Sequence, residues 1–135
     1  MPVSIYTRTS RIVLVLSIAA ITVLSLVPVQ GSLAVNIWDK AQHAGAYIYL
    51  ALLTCAATPL RRFTWRHAAL LMAYGICIEG AQAFLPWRSF SLLDMVANAS
   101  GIALGWALSA GLRRAGAPGF DPEKEQSPNG RNSHQ

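Results

Sequence analysis

The stretch Glu79-Gly80-Ala81-Gln82-Ala83-Phe84-Leu85-Pro86-Trp87-Arg88-Ser89-Phe90-Ser91-Leu92-Leu93-Asp94-Met95-Val96-Ala97-Asn98-Ala99-Ser100-Gly101-Ile102-Ala103-Leu104-Gly105 decides the fold. Two carboxylates, two amides and an arginine stand inside and between two long apolar runs. Ionisable groups beside hydrocarbon are costly, so each implies a partner or a use. Pro86 stops one helix, because it lacks an N–H and clashes with the preceding turn. Ser91 can cap the next, with Asp94 at the third position after the cap.

The composition around this stretch points to a membrane. The 135 residues are 53% hydrophobic and 13% charged, with a mean hydropathy of +0.38. A soluble domain carries about 25% charged residues. The net charge of +5 then matters less than where the charges lie. No basic run interleaved with aromatics suggests a nucleic-acid surface, so no nucleic-acid partner is expected. Cys55 and Cys77 fall in apolar runs and read as small buried hydrophobes. No companion Cys or His stands at the spacing of a structural zinc site.

Working outward, three further helices are expected. Residues 12–27 are almost wholly apolar and end at Pro28. With its flanks the run reaches about 20 residues, enough to span a hydrocarbon core of roughly 30 Å. The alternative is a signal peptide with Ser32-Leu33-Ala34 as its cleavage site. A second helix is expected over 38–58, with Asn36 as its cap and Asp39 at the third helical position. Pro59 and the cluster Arg61, Arg62 and Arg66 close it. Thr64 can cap a third helix over 65–85, and the fourth runs over 92–112 before Arg113 and Arg114. This describes an all-α, four-helix transmembrane bundle over residues 1–114. Residues 115–135 hold Pro118, Gly119, Pro122, Pro128 and Gly130 and read as a disordered, solvated tail.

The basic residues orient the bundle. Arg8 and Arg11 precede the first helix, Arg61, Arg62 and Arg66 lie between the second and third, and Arg113, Arg114, Lys124 and Arg131 follow the fourth. The other two connections hold only Lys40 and Arg88. Four spans put every basic-rich segment on one side, which the positive-inside rule makes cytoplasmic, together with both termini. Trp38 and Trp87 then mark the outer interface and Trp65 the inner one.

Helical spacing gathers the polar residues. Asp39 and His43 are four apart and share a face, with Tyr47 one turn on. Glu79 and Gln82 share a face near the outer end of the third helix. Asp94 and Asn98 share one at the start of the fourth, and Gly101 and Gly105 continue that stripe. Lys40 and Arg88 stand at the outer rim. Polar groups from three helices thus converge in the outer third of the membrane, since each would otherwise face lipid unpaired. The Gly101/Gly105 pair lets the fourth helix approach a neighbour closely, and could also serve a homo-oligomer. Simpler roles exist for each residue. Asp39 and Asp94 could be caps, His43 a hydrogen-bonded core histidine, Glu79 a partner for Arg88 or Lys40, and Gln82 and Asn98 glue between helices.

The series Asp39-Lys40-x-x-His43-x-x-x-Tyr47, Glu79-x-x-Gln82-x-x-x-Pro86-x-Arg88 and Ser91-x-x-Asp94-x-x-x-Asn98-x-x-Gly101-x-x-x-Gly105 resembles the VanZ-like family of integral membrane proteins. The resemblance covers residues 38–105 in order and spacing. Its named member is associated with low-level teicoplanin resistance, and the family's biochemical activity is not established. The resemblance therefore implies a cell-envelope role at the outer membrane–water interface and supplies no reaction.

Three functions are compatible with these residues. One is an enzyme acting on a lipid-linked or other anionic envelope substrate. In it, His43, Glu79 and Asp94 are the catalytic candidates, and Asp39, Lys40, Gln82, Arg88 and Asn98 bind ligand. Asp39, Glu79 and Asp94 could hold a divalent cation such as Mg²⁺, which favours carboxylate and phosphate oxygens. No nucleophile stands out, since Ser89 and Ser91 read as turn and cap residues. The second is a non-catalytic binding or accessory protein whose polar cluster is a helix-packing network. The third, a transporter, is disfavoured because no helix is broken at mid-span.

Overall fold

A computed structural model describes residues 5–28, 35–88, 90–117 and 120. Among them the chain is all α-helical, without strands: α1 (Ile5–Leu26), α2 (Val35–Ala57), α3 (Trp65–Gln82) and α4 (Leu92–Arg114). Two helices, α1 and α4, are long and apolar enough to cross a membrane. The other two carry more of the ionisable residues: Asp39, Lys40 and His43 in α2, and Arg66, His67 and Glu79 in α3.

Helix boundaries differ from expectation in three places, each for a local reason. Helix α1 begins at Ile5 rather than 12, taking Arg8 and Arg11 into the helix. Its first turns dock on the far end of α2: Arg11 Nε donates to the carbonyl of Ala57 at 3.0 Å, the last residue of α2. The Arg61 guanidinium lies 4.7 Å from the Tyr6 ring centroid. Helix α2 begins at Val35, so Asn36 lies inside it and is not the cap, and Asp39 is its fifth residue. Asp39 is thereby released from a capping role. Helix α3 ends at Gln82 rather than Leu85, because the backbone tightens into successive turns (Phe84 N–H to Ala81 O, Leu85 N–H to Gln82 O) ahead of Pro86. The two expected caps are present. Ser91 Oγ accepts from the Asp94 N–H, and the Thr64 N–H donates to Nδ1 of His67 at 3.0 Å.

Helix α2 forms the centre. Leu50, Ala51 and Cys55 are fully buried, with Tyr47, Phe63, Leu71 and Ile102 around them. The α2–α4 seam is the most extensive, and α1 lies against α2 and α3 without touching α4. Hydroxyls hold α1 in position: Ser17 Oγ is 2.9 Å from the Tyr49 hydroxyl, and Thr22 Oγ1 is 2.9 Å from that of Tyr74. A Cβ added at Gly105 would come within 2.5 Å of Ala51 Cβ, and one at Gly101 would collide with the Ala44 carbonyl oxygen. The glycine stripe is therefore filled by α2 of the same chain, which removes it as the face of a homo-oligomer. Cys77, expected to be buried, is exposed, whereas Cys55 is buried as expected.

Large apolar side chains stand on the surface, while several polar groups are buried beside the apolar core. Val15, Leu16, Leu24, Leu70, Leu92 and Val96 are all at least 60% exposed. Glu79, Gln82, Asn98 and Ser109 are each 2% exposed or less. Of the tail, residues 118–119 and 121–135 lie outside the described residues, so the expected disorder falls there. Phe120 packs against the core cluster, so the first turn of that segment belongs to the bundle. The Ser32-Leu33-Ala34 segment and the Trp38 side chain also lie outside what is described.

Candidate functional site

Asp39, Lys40, His43, Glu79, Arg88, Asp94 and Asn98 gather at the end of the bundle where α2 and α4 begin and α3 ends, and Gln82, expected among them, bonds to α1 instead. Asp39, Lys40 and His43 come from the first turns of α2. Glu79 comes from the last turn of α3, Arg88 from the following loop, and Asp94 and Asn98 from the start of α4. Helical spacing puts Asp39 over His43 and Asp94 over Asn98, so the two pairs face each other across the seam.

The contacts form a chain. Arg88 Nη1 donates to both oxygens of Asp39 at 3.2 Å. His43 Nε2 stands 4.0 Å from Asp39 Oδ1, and its Nδ1 is 3.1 Å from Asn98 Oδ1. His43 thus sits between Asp39 and Asn98, with one ring nitrogen turned to each. Lys40 Nζ lies 3.7 Å from Asp94 Oδ1.

Glu79 is placed differently. It pairs with neither Arg88 nor Lys40 among the described residues; its Oε2 accepts the Ser91 backbone N–H at 3.2 Å. Its other oxygen, Oε1, is buried without a hydrogen-bond partner, and so is Oδ1 of Asp94. A buried acceptor left unsatisfied costs about 1–3 kcal/mol. The cluster holds three carboxylates and two cations. With His43 neutral, one formal negative charge is in excess.

These features suit a cation. One ligand atom from each of Asp39, His43 and Asp94 lies within 4.8 Å of the other two. The expected set of Asp39, Glu79 and Asp94 changes by one member: His43 takes the position assigned to Glu79, whose Oε2 is engaged by Ser91. Asp39 and Asp94 are oxygen donors and His43 adds one nitrogen, a mixed set open to Mg²⁺ and Zn²⁺ alike.

A cavity of about 330 Å³ opens beside the cluster, between α1, α2 and α3. Asp39, His43, Arg88 and Asn98 form its polar wall, and Ile21 and Leu24 of α1 contribute to its apolar wall. Glu79 and Asp94 are not among its lining, so of the three catalytic candidates only His43 faces the space where a ligand fits. Gln82 is also set apart: its Nε2 donates to the Ser25 carbonyl at 2.8 Å and ties α3 to α1. Gly75, not singled out from sequence, is required here. A Cβ at that position would come within 2.8 Å of the Tyr47 hydroxyl and 3.0 Å of Asn98 Nδ2. Its signal was a glycine one turn before Glu79, on the same face.

Comparison of the chain with protein-family models, curated proteins and solved structures finds no match.

Proposed function

We propose that this chain is a VanZ-like, multi-pass protein of the cell membrane. Its four helices span the bilayer, both termini are cytoplasmic, and its polar cluster is an outward-facing site for an anionic, lipid-linked envelope ligand. A divalent cation held by Asp39, His43 and Asp94 would bridge protein and ligand, Arg88 would pair with the anionic head, and the Ile21/Leu24 wall would receive apolar chain. In the enzymatic form of this reading, His43 Nε2 serves as general base beside the bound ligand.

Several observations support it. Large apolar side chains cover the surface while amides and carboxylates are buried, as hydrocarbon surroundings require. The 23 residues of α2 reach about 34 Å and the 18 of α3 about 27 Å at 1.5 Å per residue, beside a hydrocarbon core of roughly 30 Å. The resemblance in residues 38–105 supports the family. The observation that carries the site is the convergence of Asp39, His43 and Asp94, one ligand atom of each within 4.8 Å of the other two, beside a cavity that Asp39 and His43 line. A network serving only to pack helices gains nothing from that convergence. The competing reading as a packing network draws on the Gln82–Ser25 and His43–Asn98 bonds, which do join helices.

Thermal melting of the detergent-purified chain with Mg²⁺ or Zn²⁺ separates the two. A site predicts that metal raises the melting temperature of the wild type and not of Asp39→Asn or His43→Gln. If no metal shifts the wild type and both variants fail to fold, the cluster is the polar core of the bundle. Maleimide labelling of Leu60→Cys and Phe84→Cys in intact cells, in a cysteine-free background, tests the topology. Labelling of position 84 alone agrees with it, and labelling of position 60 alone reverses it.

A further inference from the structure

The other end of the bundle carries a second cavity, of about 630 Å³, which the reading above leaves without a role. It lies between the α2–α3 connection and the last turns of α4. Arg62, Arg113 and Arg114 line it together with Phe63, Trp65 and Trp106, and no acidic residue does. Three guanidinium groups thus converge on one concave surface. Among the described residues none of the three has an ion-pair partner.

The simplest explanation for Arg113 and Arg114 is that they offset the carbonyl end of α4. The backbone has already capped that end. The N–H groups of Ala115, Gly116 and Ala117 bond to the carbonyls of Gly111, Arg113 and Leu112 at 2.9, 3.0 and 3.0 Å. Gly116 adopts the left-handed φ of 61° that this closure needs. The arginine side chains are therefore not needed as caps. The aromatic wall is fixed, with the Phe63 and Trp106 rings 5.7 Å apart and Phe63 buried. Trp65 is 67% and Trp106 41% exposed, and beyond them the helix surfaces are apolar.

We infer that this cavity binds the phosphate headgroup of an anionic membrane lipid, with its acyl chains lying past Trp65 and Trp106 along α3 and α4. Guanidinium groups match phosphate oxygens in charge and geometry. Basic pockets between helices on the cytoplasmic side are suited to such headgroups. The exposed indoles mark the depth where headgroup meets chain. A free phosphate would satisfy the arginines but would leave the aromatic wall and its apolar continuation unused. This inference rests on the membrane reading and is independent of the cluster at the opposite end.

The test uses the full chain, with Trp38→Phe and Trp87→Phe, in phosphatidylcholine nanodiscs, so that Trp65 and Trp106 report. Brominated phosphatidylglycerol is titrated in and indole quenching is followed. Quenching should saturate at a low mole fraction, while brominated phosphatidylcholine should quench only in proportion to its amount. Each arginine replaced by Gln should weaken the preference roughly fivefold, and the triple Arg62→Gln, Arg113→Gln, Arg114→Gln variant about a hundredfold. Should the triple variant fail to fold, the wild type still decides, because its preference must fall on going from low to molar salt. Equal quenching by the two lipids, or a preference indifferent to salt, overturns the inference. Displacement of the brominated lipid by equimolar inorganic phosphate reassigns the site to a soluble anion and overturns it too. A chain that never enters the nanodisc overturns the membrane reading as well, whereas one that enters without a lipid preference overturns this inference alone.

Discussion

The seam between α2 and α4 has two halves built on different principles. In one, Ala44, Ile48 and Ala51 close on Gly101 and Gly105 with no room for a side chain. In the other, Asp39, Lys40 and His43 face Asp94 and Asn98 through polar contacts. The glycine half is a steric fit with nothing left over. The polar half leaves Asp94 Oδ1 buried without a hydrogen bond, with Lys40 Nζ 3.7 Å away. The same helix pair thus separates holding the bundle together from presenting chemistry, and the charges sit where packing needs them least.

That contrast can be broken most directly in the glycine half. Gly105→Leu should separate the helices and cost about 3 kcal/mol, as overpacking does. Cys55 is the probe: it is fully buried, and its thiol donates to the Arg61 carbonyl. In a Cys77→Ser background its alkylation should accelerate strongly, and an unchanged rate would mean that the stripe does not hold the bundle. Next in size is Asn98→Ala, which leaves His43 Nδ1 without its hydrogen-bond partner; a loss of about 2 kcal/mol is expected in chemical denaturation. A loss as large as that of Gly105→Leu would erase the distinction between the halves. Arg88→Gln should cost only about 1 kcal/mol, because Asp39 and Arg88 both retain solvent access. The same experiment at high salt should shrink the difference, and a salt-independent loss would argue against an ionic origin. The smallest effect belongs to Glu79→Gln. It keeps an acceptor for the Ser91 N–H and removes a buried charge, so melting should be unchanged or raised by up to about 1 kcal/mol. Strong destabilisation there would make Glu79 a structural strut rather than a site residue.

Much of this was legible in the sequence, for identifiable reasons. Pro59 and the caps Thr64 and Ser91 are local signals, and they marked the end of α2 and the starts of α3 and α4 closely. The convergence of Asp39, His43, Asp94 and Asn98 followed from four-residue spacing and the cost of facing hydrocarbon. What escaped depends on partners distant in sequence. Arg11 became helical because the end of α2 supplies a carbonyl for it, 46 residues away. Gln82 shares a face with Glu79, yet it bonds to α1 because Ser25 ends an adjacent helix. Ser17 and Thr22 lie in the run read as almost wholly apolar. They hold α1 only because Tyr49 and Tyr74 lie opposite. The exchange of His43 for Glu79 among the possible ligands turned on one backbone N–H, that of Ser91, whose direction no spacing rule contains.

The most extensive seam joins α2 to α4, which follows it in the chain with α3 between them. During translation α2 leaves the ribosome well before α4 exists, and Asp39, Lys40 and His43 spend that interval without Asp94 and Asn98. If the bundle spans the bilayer as proposed, bare lipid is a poor host for them in the meantime, and the insertion machinery would have to shelter the half-made bundle. On that proposal the polar cluster is complete only once α4 has docked on α2. A chain stopped at Arg88 should be cleared rapidly in pulse–chase labelling, and co-expressing residues 90–117 as a separate span should lengthen its life. Equal lifetimes for the stopped and the complete chain would show that assembly does not wait for α4.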